Sequence, residues 1–282
     1  MNIFKNKNKS KVSMMKEQNN DDYFEKEKPS VLRSILGLLT FTTIIPLNIY
    51  TTIDEMAKMT WIWPLINGLV GVLGFIICYI LYGMAHFDSL LVATIAYAFF
   101  IWINGFNHLD GLIDFGDGIM VHGDAEKKLA IMKDPIASVG GIASMFIVGV
   151  MTIACYNSII TLNYLLLIII AEMCAKVGLI TCCVFSKPAE EGIGKFFIEY
   201  MTINKFFAGA GISIILAALI SYPINAQIGV WGVIGAMFGG TLTAGMAQKH
   251  LGFSNGDVLG TSNEIGRLFS LLFMIFAITT LI

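Results

Sequence analysis

Seven long apolar segments constrain the fold of this chain more than any other feature. Each approaches or exceeds the roughly 20 residues that a helix needs to cross a bilayer. They cover residues 60–83, 89–105, 138–160, 162–185, 206–224, 228–247 and 264–282. Charged residues make up only 13% of the chain, whereas soluble domains contain about 25%. The sequence therefore predicts an all-α, polytopic membrane helical bundle with about seven transmembrane helices.

The region before these segments has two parts. Residues 1–30 are rich in charged residues, Asn and Ser and contain no apolar run, which predicts a disordered cytoplasmic tail and not a signal peptide. Residues 31–50 are apolar, but they form a shorter segment that Pro46 interrupts. We expect this segment to be a re-entrant or interfacial N-terminal helix, and residues 31–282 to form one integral membrane domain.

The distribution of basic residues predicts the orientation in the membrane. Lysines occur in three loops, namely 107–137, 186–205 and 248–263. The connections at the opposite ends of the helices contain no Lys or Arg; they are 84–88, 157–163 and 221–227. Cytoplasmic loops typically carry such an excess of basic residues. The three lysine-containing loops are therefore expected to face the cytoplasm, and a net charge of −2 gives no reason to expect a nucleic-acid partner.

The densest cluster of polar residues runs from Asn107 to Asp134, directly after the second apolar segment. Asp110, Asp114 and Asp117 are spaced i, i+4 and i+7, so a helix would place all three on one face. The residues between them are mostly apolar, and glycines that follow two of the aspartates let a ligand or a neighbouring backbone approach closely. Clustered carboxylates at a membrane boundary commonly mark a functional site.

Three carboxylates on one helical face repel one another unless a cation lies between them. All-oxygen ligands suit a hard divalent ion, and Mg²⁺ held by a few carboxylates commonly binds substrate phosphates as well. The cluster therefore predicts phosphoryl chemistry assisted by Mg²⁺, with Asp110, Asp114 and Asp117 as the metal ligands. A solvated acidic helix face and a cation-coupled transporter are the alternatives.

Other polar residues in the Asn107–Asp134 cluster are candidates for the same site. His108 stands two residues before Asp110, where it can act as a base, a phosphate donor or a polar group at a helix end. Lys133, followed by Asp134, lies beside the membrane, where a lysine can bind a phosphate.

Two further pairs of polar residues lie in or near apolar segments. Glu172 and Lys176 are four residues apart inside a predicted membrane helix, where each needs a partner. They can satisfy each other, or they can bind substrate. Asp257 and Glu264 lie at the same predicted bilayer face as the Asn107–Asp134 cluster and suggest a second half of one site. The Asn255-Gly256 turn, followed by an N-capping Thr or Ser, explains part of this second sequence.

The run from His108 to Gly118 resembles the cobalamin 5′-phosphate synthase family, whose activity is adenosylcobinamide-GDP ribazoletransferase. Three other segments support the resemblance, namely Phe-Thr-Thr-Ile-Ile-Pro at 41–46, Trp-Pro-Leu-Ile at 63–66 and Gly-Asp-Val-Leu-Gly at 256–260 with Glu264 after it. The resemblance covers residues 31–282 in the right order. Two departures are Asn255, where the family usually has Thr, and the Glu172–Lys176 region, where many members have an arginine.

The resemblance implies a transferase in which a ribazole hydroxyl attacks the phosphorus that bears cobinamide in adenosylcobinamide-GDP, and GMP leaves. The implied partners are adenosylcobinamide-GDP, α-ribazole or its 5′-phosphate, Mg²⁺ and the lipid bilayer of a prokaryotic cell membrane, and a homo-oligomer is left open. The implied catalytic residues are Asp110, Asp114, Asp117 and His108. The implied substrate contacts are Asn107, Lys133, Asp134, Lys176, Asp257 and Glu264.

Two other functions fit part of the pattern. CDP-alcohol phosphotransferases also carry spaced aspartates at a membrane face, but their signature has an Ala-Arg pair where this chain has Phe115-Gly116. A cation-coupled transporter would have binding residues near the middle of the bilayer, often in repeated halves. The carboxylates of this chain instead lie at one predicted face.

Overall fold

The apolar segments fold into helices of membrane-spanning length. In the computed structural model, which describes residues 30–282, six helices are long and apolar enough to cross a bilayer, and a bent helix pair raises the number to as many as seven. This confirms the predicted all-α, polytopic bundle. The predicted tail over residues 1–30 lies outside the described residues except for Ser30.

The helices are numbered here in chain order. They are α1 (Val31–Thr42), α2 (Ile53–Lys58), α3 (Trp63–Cys78), α4 (Ser89–Ile103), α5 (Asn107–Met120), α6 (Ala125–Met132), α7 (Val139–Thr161), α8 (Leu167–Phe185), α9 (Ile193–Tyr200), α10 (Ile203–Ser221), α11 (Ala226–His250) and α12 (Gly256–Leu281). Short 3₁₀ and π turns extend α3 at its two ends, so its continuous span is Thr60–Met84.

Helix α8 forms the centre of the bundle. In its most apolar stretch 89% of the residues are buried, against 28% in each of α7 and α10. It packs against α3, α11 and α12. A helix that is covered on nearly all sides must satisfy its polar side chains internally, which sets the environment of Glu172 and Lys176.

The second predicted crossing differs from the expectation. Helix α4 has only 15 residues, or about 22 Å at 1.5 Å per residue, and α5 leaves it at an angle of 91°. The bend is made by Gly105 and Phe106, whose φ angles of 65° and 61° are both left-handed. The sequence pattern did not reveal this bend because a non-glycine residue rarely adopts that conformation.

The N-terminal segment forms a helix that is shorter than the six helices of membrane-spanning length. Helix α1 has 12 residues, about 18 Å at 1.5 Å per residue, and an extended stretch follows it. The amide of Ile44 in that stretch donates to the carbonyl of Ile103 at 2.9 Å. The segment is therefore fastened to the end of α4, beside the bend.

The last helix begins eight residues earlier than predicted, at Gly256 and not at Glu264. Its N-cap is Asn255, whose side chain accepts from the amide of Val258 at 3.1 Å, so the predicted Thr or Ser cap is wrong. The Asn-Gly pair was taken as a loop turn, but here it starts a helix. As a result Asp257 lies in the first turn of α12.

Candidate active site

A cavity of about 330 Å³ lies where parts of six helices meet. Its described lining comes from segments far apart in the chain, and it includes residues from each of the four segments that suggested a family resemblance. The lining residues are Phe41, Thr42, Trp63, Asn107, His108, Asp110, Leu179, Ile193, Gly194, Phe197, Gly256, Asp257, Leu259 and Gly260.

One wall of this cavity is polar and is formed by two helix starts. Asn107, His108 and Asp110 come from the first turn of α5, and Asp257 comes from the first turn of α12. Helix N-termini carry free N–H groups and a partial positive charge, which favour phosphate groups. The wall therefore combines carboxylates that can hold a cation with helix ends that can hold an anion.

Gly111 sets the distance between these two helix starts. A Cβ atom at this position would lie 2.7 Å from the carbonyl oxygen of Asp257 and 2.9 Å from its Cα. The hydroxyl of Thr261 donates to the carbonyl of Gly111 at 3.0 Å. The glycine after Asp110 thus admits a neighbouring backbone, one of the two roles that the sequence suggested, and it brings Asp257 beside α5.

Asp117, the third of the predicted metal ligands, uses its carboxylate for hydrogen bonds outside the cavity. It is only 3% exposed, and it accepts from the amide of Ser138 at 2.7 Å, from the Ser138 hydroxyl and from the amide of Gly141. These are donors at the start of α7, so Asp117 joins α5 to α7. Although α5 is a helix as predicted, its aspartates do not share one environment.

The predicted three-aspartate metal group is not assembled in the structure. Within residues 30–282 there is no group of three or more His, Cys, Asp or Glu side chains placed to hold a metal ion. Asp114 is half-buried and interacts electrostatically with Asp110, Asp257 and Asp117. Asp110 and Asp257 line the cavity, and Asp114 is close enough to both for their negative charges to act on its carboxylate.

A buried lysine lies behind the polar wall. Lys176 of α8 is fully buried, and its Nζ atom contacts Nε2 of His108. The same Nζ atom lies 5.1 Å from the ring centroid of Trp63. His108 and Trp63 both line the cavity. Lys176 therefore lies directly behind two lining residues without lining the cavity itself.

Glu172 and Glu264 lie in a separate ion network deeper in the bundle. Nε of Arg267 donates to Glu172 at 2.6 Å, and the same guanidinium contacts Glu264. Two tyrosine hydroxyls also belong to the network, with Tyr156 donating to Glu172 at 2.7 Å and Tyr97 to Glu264 at 3.3 Å. The suggested Glu172–Lys176 pair is therefore not formed. Glu264 does not line the cavity, in contrast to its expected role as a substrate contact.

Lys133 and Asp134 lie away from the cavity lining. Both are exposed at the end of α6, and Asp134 accepts from the amide of Ile136 at 2.9 Å. Sequence reasoning missed Phe197 and Arg267 as parts of this region. Arg267 had a recognisable signal, since Glu172 and Glu264 in predicted membrane helices both required a cation.

Comparison with known proteins gives a consistent result. The chain is 32% identical over 262 residues to an adenosylcobinamide-GDP ribazoletransferase of Methanococcoides burtonii, covering 88% of this chain and 92% of the relative. It is 30% identical over 254 residues to the protein of that name in Methanosarcina barkeri, covering 83% and 88%, and 28% identical over 239 residues to that in Pyrococcus furiosus, covering 84% and 97%. No solved structure gives a significant match. The family described as cobalamin-5-phosphate synthase matches residues 34–275, and this chain belongs to it.

Proposed function

We propose that this protein is a membrane-bound transferase that joins adenosylcobinamide-GDP and α-ribazole, or α-ribazole 5′-phosphate, with release of GMP. The observation that carries the proposal is the cavity whose polar wall combines Asn107, His108 and Asp110 with Asp257. Carboxylates and two helix N-termini in one wall suit a substrate that carries a diphosphate. The relatives named adenosylcobinamide-GDP ribazoletransferase, which are about 30% identical to this chain, support the same activity.

The reaction exchanges one phosphorus–oxygen bond for another. A ribose hydroxyl of the acceptor forms a bond to the phosphorus that bears cobinamide. The bond from that phosphorus to the bridging oxygen of the diphosphate breaks, and GMP leaves with the electron pair. Because phosphoryl transfer depends chiefly on positioning and charge neutralisation, the role of the protein is to align the hydroxyl and stabilise the phosphates.

The cavity residues fit a Mg²⁺ ion. Mg²⁺ usually binds through one or two carboxylates, several waters and the substrate phosphates, so a preformed group of three protein ligands is not needed. Asp110 and Asp257 provide carboxylates in the wall, with Asp114 beside them. When bound, Mg²⁺ supplies charge neutralisation at the diphosphate and the departing GMP. Asp117 is left out of this ligand set because its oxygens already bind the start of α7.

His108 and the carboxylates have different proposed roles. Nζ of Lys176 contacts Nε2 of His108. With Lys176 in its ammonium form, which can only donate, Nε2 accepts and the other ring nitrogen carries the proton. His108 therefore binds a phosphate oxygen, with Lys176 supplying positive charge from behind. The proton of the attacking hydroxyl passes to Asp110 or Asp257, which are acceptors when ionised.

The cavity is proposed to open to the cytoplasm of a prokaryotic cell. Gly194 and Gly256 of its lining adjoin the connections 186–192 and 251–255, which belong to two of the lysine-containing loops. The excess of lysine at this end supports the orientation. Nucleotide-activated substrates made in the cytoplasm would then reach the site directly.

An assay of GMP release tests the proposal. Purified protein is given adenosylcobinamide-GDP with α-ribazole or its 5′-phosphate, and then EDTA followed by excess Mg²⁺. We expect GMP release that requires an acceptor, stops with EDTA and returns with Mg²⁺. Absence of GMP with both acceptors contradicts the transferase activity, whereas release that persists in EDTA contradicts only the role of Mg²⁺.

A further inference from the structure

Another part of the cavity lining is aromatic. Phe41 of α1, Trp63 of α3 and Phe197 of α9 all line the cavity. Their ring centroids are 5.3 Å apart for Phe41 and Phe197, 5.0 Å for Trp63 and Phe197, and 6.4 Å for Phe41 and Trp63. Three elements distant in sequence thus form one continuous aromatic surface, called the aromatic wall below.

Two rings of the aromatic wall are buried, and the third is accessible. Trp63 and Phe197 are only 3% and 2% exposed, whereas Phe41 is 38% exposed. The indole N–H of Trp63 donates to the hydroxyl of Thr42, and the Lys176 ammonium lies against its ring. Phe41 is therefore an accessible ring supported by two fixed rings, an arrangement that presents a surface for stacking without a large ordering cost.

The side chains around the wall offer little hydrogen bonding to a ligand. Apart from the polar wall and the glycines, the other residues of the described lining are Leu179, Ile193, Leu259 and Thr42. The hydroxyl of Thr42 already donates to the carbonyl of Leu38 at 2.6 Å and accepts from Trp63. A guanine placed here would lose the hydrogen bonds that its N–H groups make in water, which is costly. A dimethylbenzimidazole has no N–H group when joined to ribose and carries two methyl groups, so it matches the wall.

The size of the cavity also limits what it holds. About 330 Å³ lies at the low end of the range for pockets that bind drug-sized molecules, roughly 300–1,000 Å³. This volume suits one nucleoside and is too small for a corrin ring with its side chains. The corrin part of the donor must therefore stay outside this cavity.

We propose that Phe41, supported by the buried rings of Trp63 and Phe197, binds the benzimidazole base of the acceptor nucleoside by stacking. The ribose of the acceptor then extends to the polar wall, where Asp110 and Asp257 receive the reacting hydroxyl. This inference rests on the proposed transferase function and adds the binding site of one substrate. The guanine of the donor binds elsewhere.

Binding and kinetics of Phe41 variants test this assignment. Binding of α-ribazole alone is measured by equilibrium dialysis with the full chain in lipid nanodiscs, and the KM values of donor and acceptor come from GMP release. Loss of a base stacked on an aromatic side chain typically weakens binding about 5- to 150-fold. We expect Phe41→Ala to weaken α-ribazole binding about tenfold or more and to raise the acceptor KM similarly, with the donor KM unchanged. Phe41→Tyr, which keeps the ring, should bind nearly as well as the unmodified protein.

Phe146→Ala is the matched control, because Phe146 in α7 is exposed and lies outside the described cavity lining. It should leave α-ribazole binding unchanged. If Phe41→Ala raises only the donor KM, the wall holds guanine and the assignment is overturned. If GMP is released but α-ribazole binds equally to all variants, the assignment fails while the transferase function stands. Phe41-dependent binding without GMP release would support the site and refute the function.

Discussion

Asp110 and Asp117 lie seven residues apart on α5, and the surrounding groups give them different roles. Asp110 faces the cavity, while Asp117 holds the start of α7. A carboxylate that accepts from several donors stabilises the fold, and its loss leaves those donors unpaired. A carboxylate that faces a cavity mainly repels the neighbouring carboxylates until a ligand binds.

Substitution of the two aspartates should therefore have opposite consequences. Asp117→Asn is expected to lower the free energy of unfolding by about 1–3 kcal/mol with a smaller effect on GMP release. Asp110→Asn should lower kcat by about 100-fold or more, in the range found for removal of one catalytic group, with little loss of stability. Thermal unfolding and GMP release are measured on both variants. The prediction is contradicted if the two variants lose stability and activity to the same extent.

Arg267 is the one cation seen in contact with both Glu172 and Glu264 in the described part of the chain. Arg267→Met leaves two buried carboxylates without it, which should lower stability by about 3–5 kcal/mol. The triple variant with Glu172→Gln and Glu264→Gln as well should recover part of this loss, because no uncompensated charge remains. Unfolding in detergent measures the difference, and a triple variant less stable than Arg267→Met would argue against a charge effect.

The sequence was informative about which residues are chemically unusual and less informative about their partners. Asp110, His108 and Asp257 were recognised as candidates and do line one cavity. Lys176 was recognised too, but its contact with His108 joins residues 68 positions apart. Spacing along a chain identifies neighbours on one helix, whereas contacts between helices depend on how the whole bundle packs.

At the scale of elements, the contact between α5 and α12 assembles the polar wall. Gly111 allows this contact because any side chain there would meet the backbone of Asp257. A backbone cannot rotate away as a flexible side chain can, so the two helices would have to separate.

Gly111→Ala should consequently separate α5 from α12 and displace Asp257 from Asp110. We expect GMP release to fall at least tenfold, together with a lower melting temperature. Gly245→Ala on α11 is the matched control, since a Cβ atom there meets no atom within 4 Å, and alanine favours a helix by up to about 1 kcal/mol over glycine. Activity in Gly111→Ala equal to that of the control would show that the close approach is not required.

Helix positions were largely predictable from hydropathy, but two helix ends were not. The predicted crossing at 89–105 corresponds to α4, but the 91° bend between α4 and α5 was not predicted. The start of α12 was missed because Asn255-Gly256 resembles a turn, yet Asn is also a strong N-cap. In both places a short polar sequence has two local interpretations, and the packing of neighbouring helices decides between them.

For the whole molecule, the proposed orientation is open to a direct labelling test. The five native cysteines are all buried, so they give little background with an impermeant maleimide. Glu190→Cys and Tyr222→Cys place exposed thiols at opposite ends of the bundle. We expect Glu190→Cys to react only in inside-out vesicles and Tyr222→Cys only in intact cells. The reverse pattern would put the cavity outside the cytoplasm.

The short helix α4 has a consequence for the lipid around the protein. At about 22 Å by its length, it falls short of a hydrocarbon core of about 30 Å, and α5 turns away at its end. The bilayer must then thin locally beside this helix, which costs elastic energy that grows with the thickness of the membrane. The enzyme should release GMP fastest in vesicles of shorter-chain lipids and more slowly as the acyl chains lengthen; equal rates across the series would refute this. Bilayer thickness would thereby act on the polar wall, because α5, which carries Asp110, directly follows the bend.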